Sequence, residues 1–280
     1  MSNLQTCTSL QDATGEVEFR LTNDCMFHVV FQKNPKALLG LCASLLHMHP
    51  EEIRSVEVLN PFEFKTMPTD KTFILDLKVM LNDDSIINFE VQVVDEADWP
   101  KRSLTYACRT FDHLKKGESY LDVKPVRHIG FLDYDLKDLT PEFYATYQLL
   151  NIRNHERYTG KFTLSVVNLN QIELATEEDR KYGIDYWARL FKATTWEAIK
   201  KMAQENEYIS SAAETMFESS QDASMRYYLE GVEEANRIRR GQEIRIERAE
   251  AALAEKDAVI AEKDAEIAHL KALLAATQQQ

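Results

Sequence analysis

Two short apolar runs, TFILDLKVML at residues 72–81 and IINFEVQVV at residues 86–94, flank the turn-forming stretch NDDS, and each carries one carboxylate, Asp76 and Glu90. Runs of this kind on either side of turn residues predict a β-hairpin, and the hairpin restricts the fold more than any other feature. Side chains alternate across a strand. Phe73, Leu75, Leu77 and Val79, with Ile87, Phe89, Val91 and Val93, therefore make one wholly apolar face, which is expected to be core. Ile74, Asp76 and Lys78 share the opposite face of the first arm, as do Ile86, Asn88, Glu90 and Gln92 on the second. Acidic residues are depleted in strands, so a carboxylate in each arm needs a reason. A one-residue slip would exchange the two faces, so the apolar pattern itself selects an even-to-even pairing. Two registers satisfy it. One, centred on Asp83, sets Asp76 opposite Glu90; the other, centred on Asp84, sets Lys78 there and leaves Asp76 on the diagonal.

Two carboxylates on one sheet face, with an amide and an ammonium beside them, suit a hard divalent cation. Mg²⁺ takes oxygen ligands, keeps several waters and is held by one or two carboxylates plus substrate phosphate. Such an ion lowers the pKa of water and polarises a phosphoryl oxygen. The plainer alternative is a cross-strand Lys78–Glu90 ion pair on a solvated sheet face, contributing well under ~1 kcal/mol.

With 280 residues, 44% of them hydrophobic, the chain can bury one substantial core and still carry an appendage. Its longest apolar run, ALLGLCASLL at 37–46, falls short of the ~20 residues that a membrane-crossing helix needs. The opening residues have neither a basic stretch nor an apolar centre, so no signal peptide is expected. Cys7, Cys25, Cys42 and Cys108 are scattered without paired spacing and read as reduced thiols of a cytoplasmic protein. His47 and His49 stand where a helix ends, with no second cluster to complete a metal site. A formal net charge of −13 argues against tight non-specific DNA binding. Basic residues do flank the hairpin, among them Lys71, Lys101, Arg102 and Arg109, and a bound cation would offset part of the acidic field.

Along the chain, TND at 22–24 supplies capping side chains for a first helix, and a second, strongly apolar one runs from Pro35 to about Met48. Alternation predicts a strand at 53–64. A helix follows the hairpin, with Pro100 in its first turn and Gly117 as its stop. Strands are predicted at 124–136, 143–154 and 161–170. A helix between two strands implies a parallel crossover, so the sheet should be mixed. From about Glu177 the pattern is helical, ending in one long charged helix. There Ile246, Leu253, Ile260, Ile267 and Leu274 recur every seven residues, and AEKDA occurs twice. The companion core positions include Lys256 and Lys263, which makes a weak heptad seam, read either as a self-association surface or as a solvated helix.

The blocks TNDCMFHVVFQKNPKALLGLCASLL, EIRSVEVLNPF, DLKVMLNDDSIINFEVQ, RSLTYACRTFDHLKKGESYLDVKPVRHIGFLD and WARLFKATTWE occur in that order. Together they resemble the recombination-promoting nuclease/putative transposase family, a branch of the PD-(D/E)XK nucleases, from about Glu18 to Gly241. The resemblance implies an α/β fold with a restriction-endonuclease-like mixed central sheet flanked by helices; the helical pattern adds a helical C-terminal region and a long coiled-coil-like helix. The expected organisation is a disordered N-terminus at 1–17, a nuclease-like core at 18–170, a helical extension at 171–229 and the long helix at 230–280. The activity it implies is Mg²⁺-dependent cleavage of DNA. Asp76 corresponds to the motif aspartate and Glu90 to the second metal ligand, with the Val91 carbonyl completing the set. Gln92 falls where the wider superfamily has lysine and would orient the water. Lys78 is the candidate cation facing the transition state. Asp24 matches an acidic position in the first helix, with a plain helix cap as its alternative reading, and Tyr106 an aromatic one in the helix after the hairpin. His28 and the AEKDA tail depart from the family pattern. The rival expectation is a nuclease-fold interaction protein, weak or inactive as a catalyst, that assembles as a homo-oligomer through the C-terminal helix. No helix-turn-helix or zinc-finger spacing supports true transposition.

Overall fold

The computed structural model describes residues 9–60, 77–82, 84–95, 98–137 and 139–277. Helices α1 (Asp24–Lys33) and α2 (Pro35–Leu45) precede the strands β1 (Val56–Val58), β2 (Leu77–Leu81) and β3 (Ser85–Gln92). Helix α3 (Trp99–Phe111) then crosses to β4 (Val126–Leu132), followed by β5 (Tyr144–Gln148) and β6 (Phe162–Asn168). The strands lie in the order β1-β2-β3-β4-β6-β5. Pairing is antiparallel from β1 to β3, parallel between β3 and β4 and between β4 and β6, and antiparallel at the β5 edge. This is the mixed sheet the sequence implies, with the parallel crossover at α3.

The hairpin pairs Leu77 with Phe89 and Lys78 with Asn88, so the register is the one centred on position 83. Asp76 itself lies outside the described residues. The odd-numbered face is core, as the alternation requires: Leu77, Val79, Ile87, Phe89 and Val91 are buried together with Ile129, Phe131 and Val167. Phe27 of α1 sits against this face, its ring 4.9 Å from Phe31, 5.9 Å from Phe131 and 5.8 Å from Phe191. Phe131 and Phe191 stack at 4.5 Å.

The even-numbered face is also covered. Every residue of β3 is buried, because α3 lies over this side of the sheet and packs Trp99 with Leu132 and Val166. The solvated sheet face of the ion-pair alternative therefore does not exist at β3. Helix α3 ends at Phe111, before the expected stop; Asp112 is its cap, and Gly117 instead occupies a later turn at φ 97°.

After the short polar helix α4 (Glu177–Lys181), helices α5 (Ile184–Lys192), α6 (Trp196–Glu205) and α7 (Glu207–Gln221) and the first turns of α8 (Ala223–Thr277) share the same core. Trp187, Phe191, Ile199, Met216 and Leu229 are buried in it. Residues 9–17, expected to be disordered, instead bury Leu10, Ala13 and Val17, and Val17 N–H bonds the Thr194 carbonyl. The chain divides into two compact units between Ala235 and Asn236. In the second, Ile246, Leu253 and Ile260 are exposed along α8. No helix among the described residues is long and apolar enough to cross a membrane.

The start of α1 shows how a single side chain joins distant elements. Asn23, fully buried, caps the helix by accepting from the N–H groups of Cys25 and Met26, while its amide donates to the Leu229 carbonyl and Glu233 Oε1 of α8. Caps of this type contribute about 1 kcal/mol, and the buried amide adds a comparable amount. Asn23→Ala is expected to lower unfolding stability by about 2 kcal/mol in urea denaturation. A loss below about 0.5 kcal/mol would show that the α1–α8 junction does not depend on it.

Candidate active site

Glu90 lies near the end of β3, with Gly130 of the parallel strand β4 beside it. Only 3% of it is exposed. Its Oε1 accepts from Arg102 Nε at 2.6 Å, and its Oε2 is 3.5 Å from His128 Nε2. Both partners follow from the topology. Helix α3 leaves the sheet just past the end of β3, packs its first residue, Trp99, on Gly130, and so brings Arg102, three residues on, back over Glu90. His128 stands opposite Asn88 in the parallel pairing, where the Asn88 amide donates to its Nδ1 at 3.0 Å. That leaves the imidazole proton on Nε2, toward Glu90.

Burial, and secondly the Arg102 guanidinium, push the His128 pKa down to about 4 from 6.5. The ring is therefore neutral in the folded protein at neutral pH. The unfolded chain takes up this proton near pH 6.5 and the folded one only near pH 4, so stability falls as the pH drops through that window. The loss attributable to His128 is on the order of 2–3 kcal/mol at pH 4. His128→Gln is expected to flatten that part of the pH–stability curve; parallel curves for wild type and variant between pH 4 and 6.5 would contradict it. The Tyr134 hydroxyl is held above its ordinary pKa by burial, with the charges of Asp95, Asp98 and Glu90 adding to it. Burial raises both the Cys25 and Cys42 thiols to about 12, which rules them out as nucleophiles near neutrality.

Other expected site residues fall as follows. Gln92 is buried and its amide donates to the Val94 carbonyl at 3.1 Å. Lys78 faces Asn88 across the hairpin, two pairs short of Glu90, and the ion pair at Glu90 runs to Arg102 rather than to Lys78. The even-numbered backbone of β3 bonds β4, as Ile86 N–H to Pro125 and Asp133 N–H to Gln92 show. The Val91 carbonyl therefore points to the β2 side. Asp24 is the first residue of α1, half-buried; the cap is its neighbour Asn23, so the plain-cap reading of Asp24 does not hold.

His128 and the contact made by Arg102 are what the sequence reading missed. Both left a trace: a histidine and a glycine two residues apart in a strand otherwise apolar except for Arg127, since glycine inside a strand marks a close approach from another element. A Cβ at Gly130 would overlap the Trp99 ring.

Among the described residues no group of three or more His, Cys, Asp or Glu side chains is gathered around a common point. The donors at Glu90 are nonetheless suited to a hard cation: a buried carboxylate already holding a positive group, with a carbonyl on the next residue. Asp76, the other expected carboxylate, lies outside the described residues.

A mixed sheet of this order, flanked by helices on both faces, is a restriction-endonuclease-like α/β fold. The chain matches the model of the PD-(D/E)XK nuclease family transposases over residues 21–241, and it belongs to that family. No curated protein and no solved structure matches it.

Proposed function

We propose that the protein is a Mg²⁺-dependent DNA endonuclease that hydrolyses phosphodiester bonds and promotes DNA recombination in the cytoplasm. The observation that carries this reading is Glu90, a buried carboxylate held beneath α3, in a chain of a nuclease family. Asp76, Glu90 and the Val91 carbonyl would hold the cation, which when bound supplies water activation and neutralises charge on the phosphate. Gln92 orients the attacking water by hydrogen bonding; an amide takes up no proton near neutrality and is no general base. Lys78, on the even-numbered face, would supply a further positive charge for the transition state, and Asp24, at the start of α1, would be the site's further acidic residue. His128 stands beside Glu90 with its basic nitrogen, Nδ1, already accepting from Asn88, so it would not take up the proton of the water.

Incubating plasmid with the purified chain and Mg²⁺ tests the reading. Nicking is expected from the wild type, together with its loss in EDTA and in Asp76→Ala. Equal nicking by wild type and Asp76→Ala would refute it. The rival, an interaction protein on a nuclease scaffold, draws its support from Arg102, which already occupies one oxygen of Glu90; it predicts no nicking by any form. Exposed Ile246, Leu253 and Ile260 at heptad spacing support self-association through α8. Light scattering on the wild type and on Leu253→Glu/Ile260→Glu distinguishes an assembly that dissociates from a monomer in both.

A further inference from the structure

The contact between Arg102 and Glu90 has a consequence for the order of events at this site, on the reading that Glu90 is a metal ligand. A carboxylate buried to this degree needs a positive partner in every state of the protein. Here that partner is Arg102, whose Nε donates to Oε1 at 2.6 Å. A divalent cation on the same carboxylate would place like charges within a few ångströms of each other, in surroundings that screen them poorly. Arg102 and the cation are therefore alternatives.

Arg102 has somewhere to go. Its side chain is 24% exposed while that of Glu90 is 3% exposed, so the pair sits at the edge of the buried layer, with the arginine on the outer side. The guanidinium lies over the Tyr106 ring at 5.4 Å, and Arg109, one turn further along α3, approaches the same ring at 5.9 Å. Tyr106 thus offers an aromatic face that can carry the guanidinium as it turns outward. A planar guanidinium released beside the carboxylate would meet phosphate oxygens in its preferred two-bond geometry.

We propose that Arg102 is a displaceable counter-ion: it holds Glu90 in the cation-free protein and passes to the substrate phosphate when a divalent cation takes its place. The site is thereby kept neutral and ordered when empty, and full engagement of the cation is tied to the presence of DNA. Two opposite effects of one substitution follow. Removing the guanidinium removes a competitor for Glu90, so cation binding tightens; it also removes a phosphate ligand, so cleavage slows.

The test is Mn²⁺ titration calorimetry on the full-length chain without DNA, beside plasmid cleavage, for wild type, Arg102→Gln and Arg102→Lys. Arg102→Gln is expected to bind Mn²⁺ about tenfold tighter and to cleave about tenfold or more slowly. Arg102→Lys, which keeps the charge but not the fork, should fall between in both; if Arg102→Gln does not fold, as read by circular dichroism, the same ordering is read from Arg102→Lys alone. Equal or weaker Mn²⁺ binding by the variants than by a wild type that does bind would overturn the displacement and leave the nuclease reading standing. Absence of Mn²⁺ binding in all three would overturn both. Tighter binding with undiminished cleavage would overturn the transfer to phosphate.

Discussion

Glu90→Gln is expected to lower Mg²⁺-dependent plasmid cleavage by at least about 10²–10³-fold while leaving the protein folded. The two side chains have the same shape, so the buried layer between β3 and α3 keeps its volume. What changes is charge. A neutral amide cannot hold a hard cation as a carboxylate does, and the proposed site loses one of its two side-chain oxygen ligands. The structural consequence is smaller: Arg102 keeps a hydrogen-bond acceptor but loses its ion pair, and being partly exposed it can turn to water. A stability loss of about 1–3 kcal/mol follows, seen as a lower denaturation midpoint. The disparity between the two effects is what identifies a catalytic carboxylate. A variant that melts earlier yet cleaves like wild type would make Glu90 a structural partner of Arg102 and nothing more.

The two faces of the hairpin were legible for different reasons. Alternation in 72–94 assigned Phe89 and Val91 to the core and Asn88, Glu90 and Gln92 to the other side, because the period of two leaves no freedom once one face is wholly apolar. It could not say what covers the second face. That depends on α3 folding back over the sheet, a tertiary fact recorded only in the pairing of a small residue, Gly130, with a large one, Trp99, some thirty positions apart. For the same reason Glu90 was recognisable as a site residue while its partners were not. Arg102 appeared only as one of several basic residues near the hairpin, and His128 as part of a strand. The register shows the converse. Local pattern left Lys78 and Asp76 as rivals for the place opposite Glu90, and the observed pairing of Lys78 with Asn88 excludes the first. At the N-terminus, residues 1–17 were expected to be disordered, yet Leu10, Ala13 and Val17 are buried in the core, an outcome that no local signal carries.

Gly130→Ala is expected to be among the most damaging single substitutions in the chain despite adding one carbon. The new Cβ would overlap Cζ2 and Cη2 of Trp99, a rigid ring that is itself buried. Overpacking a dense interior costs about 1–3 kcal/mol and more where the obstacle is a rigid ring. For a chain of this size that corresponds to a fall in melting temperature on the order of 5–10 °C. The damage should reach the site as well. Trp99 begins α3 and Arg102 follows three residues on, so a helix lifted off Gly130 draws the guanidinium away from Glu90 Oε1. Trp99→Leu alone also destabilises, by emptying the same space. The two changes together should then partly compensate, with the double variant more stable than the sum of the single losses predicts by at least about 1 kcal/mol. Strict additivity in urea denaturation would mean that the glycine and the ring do not share the space assigned to them. The placement of α3 over the sheet, and with it the position of Arg102, would then be wrong.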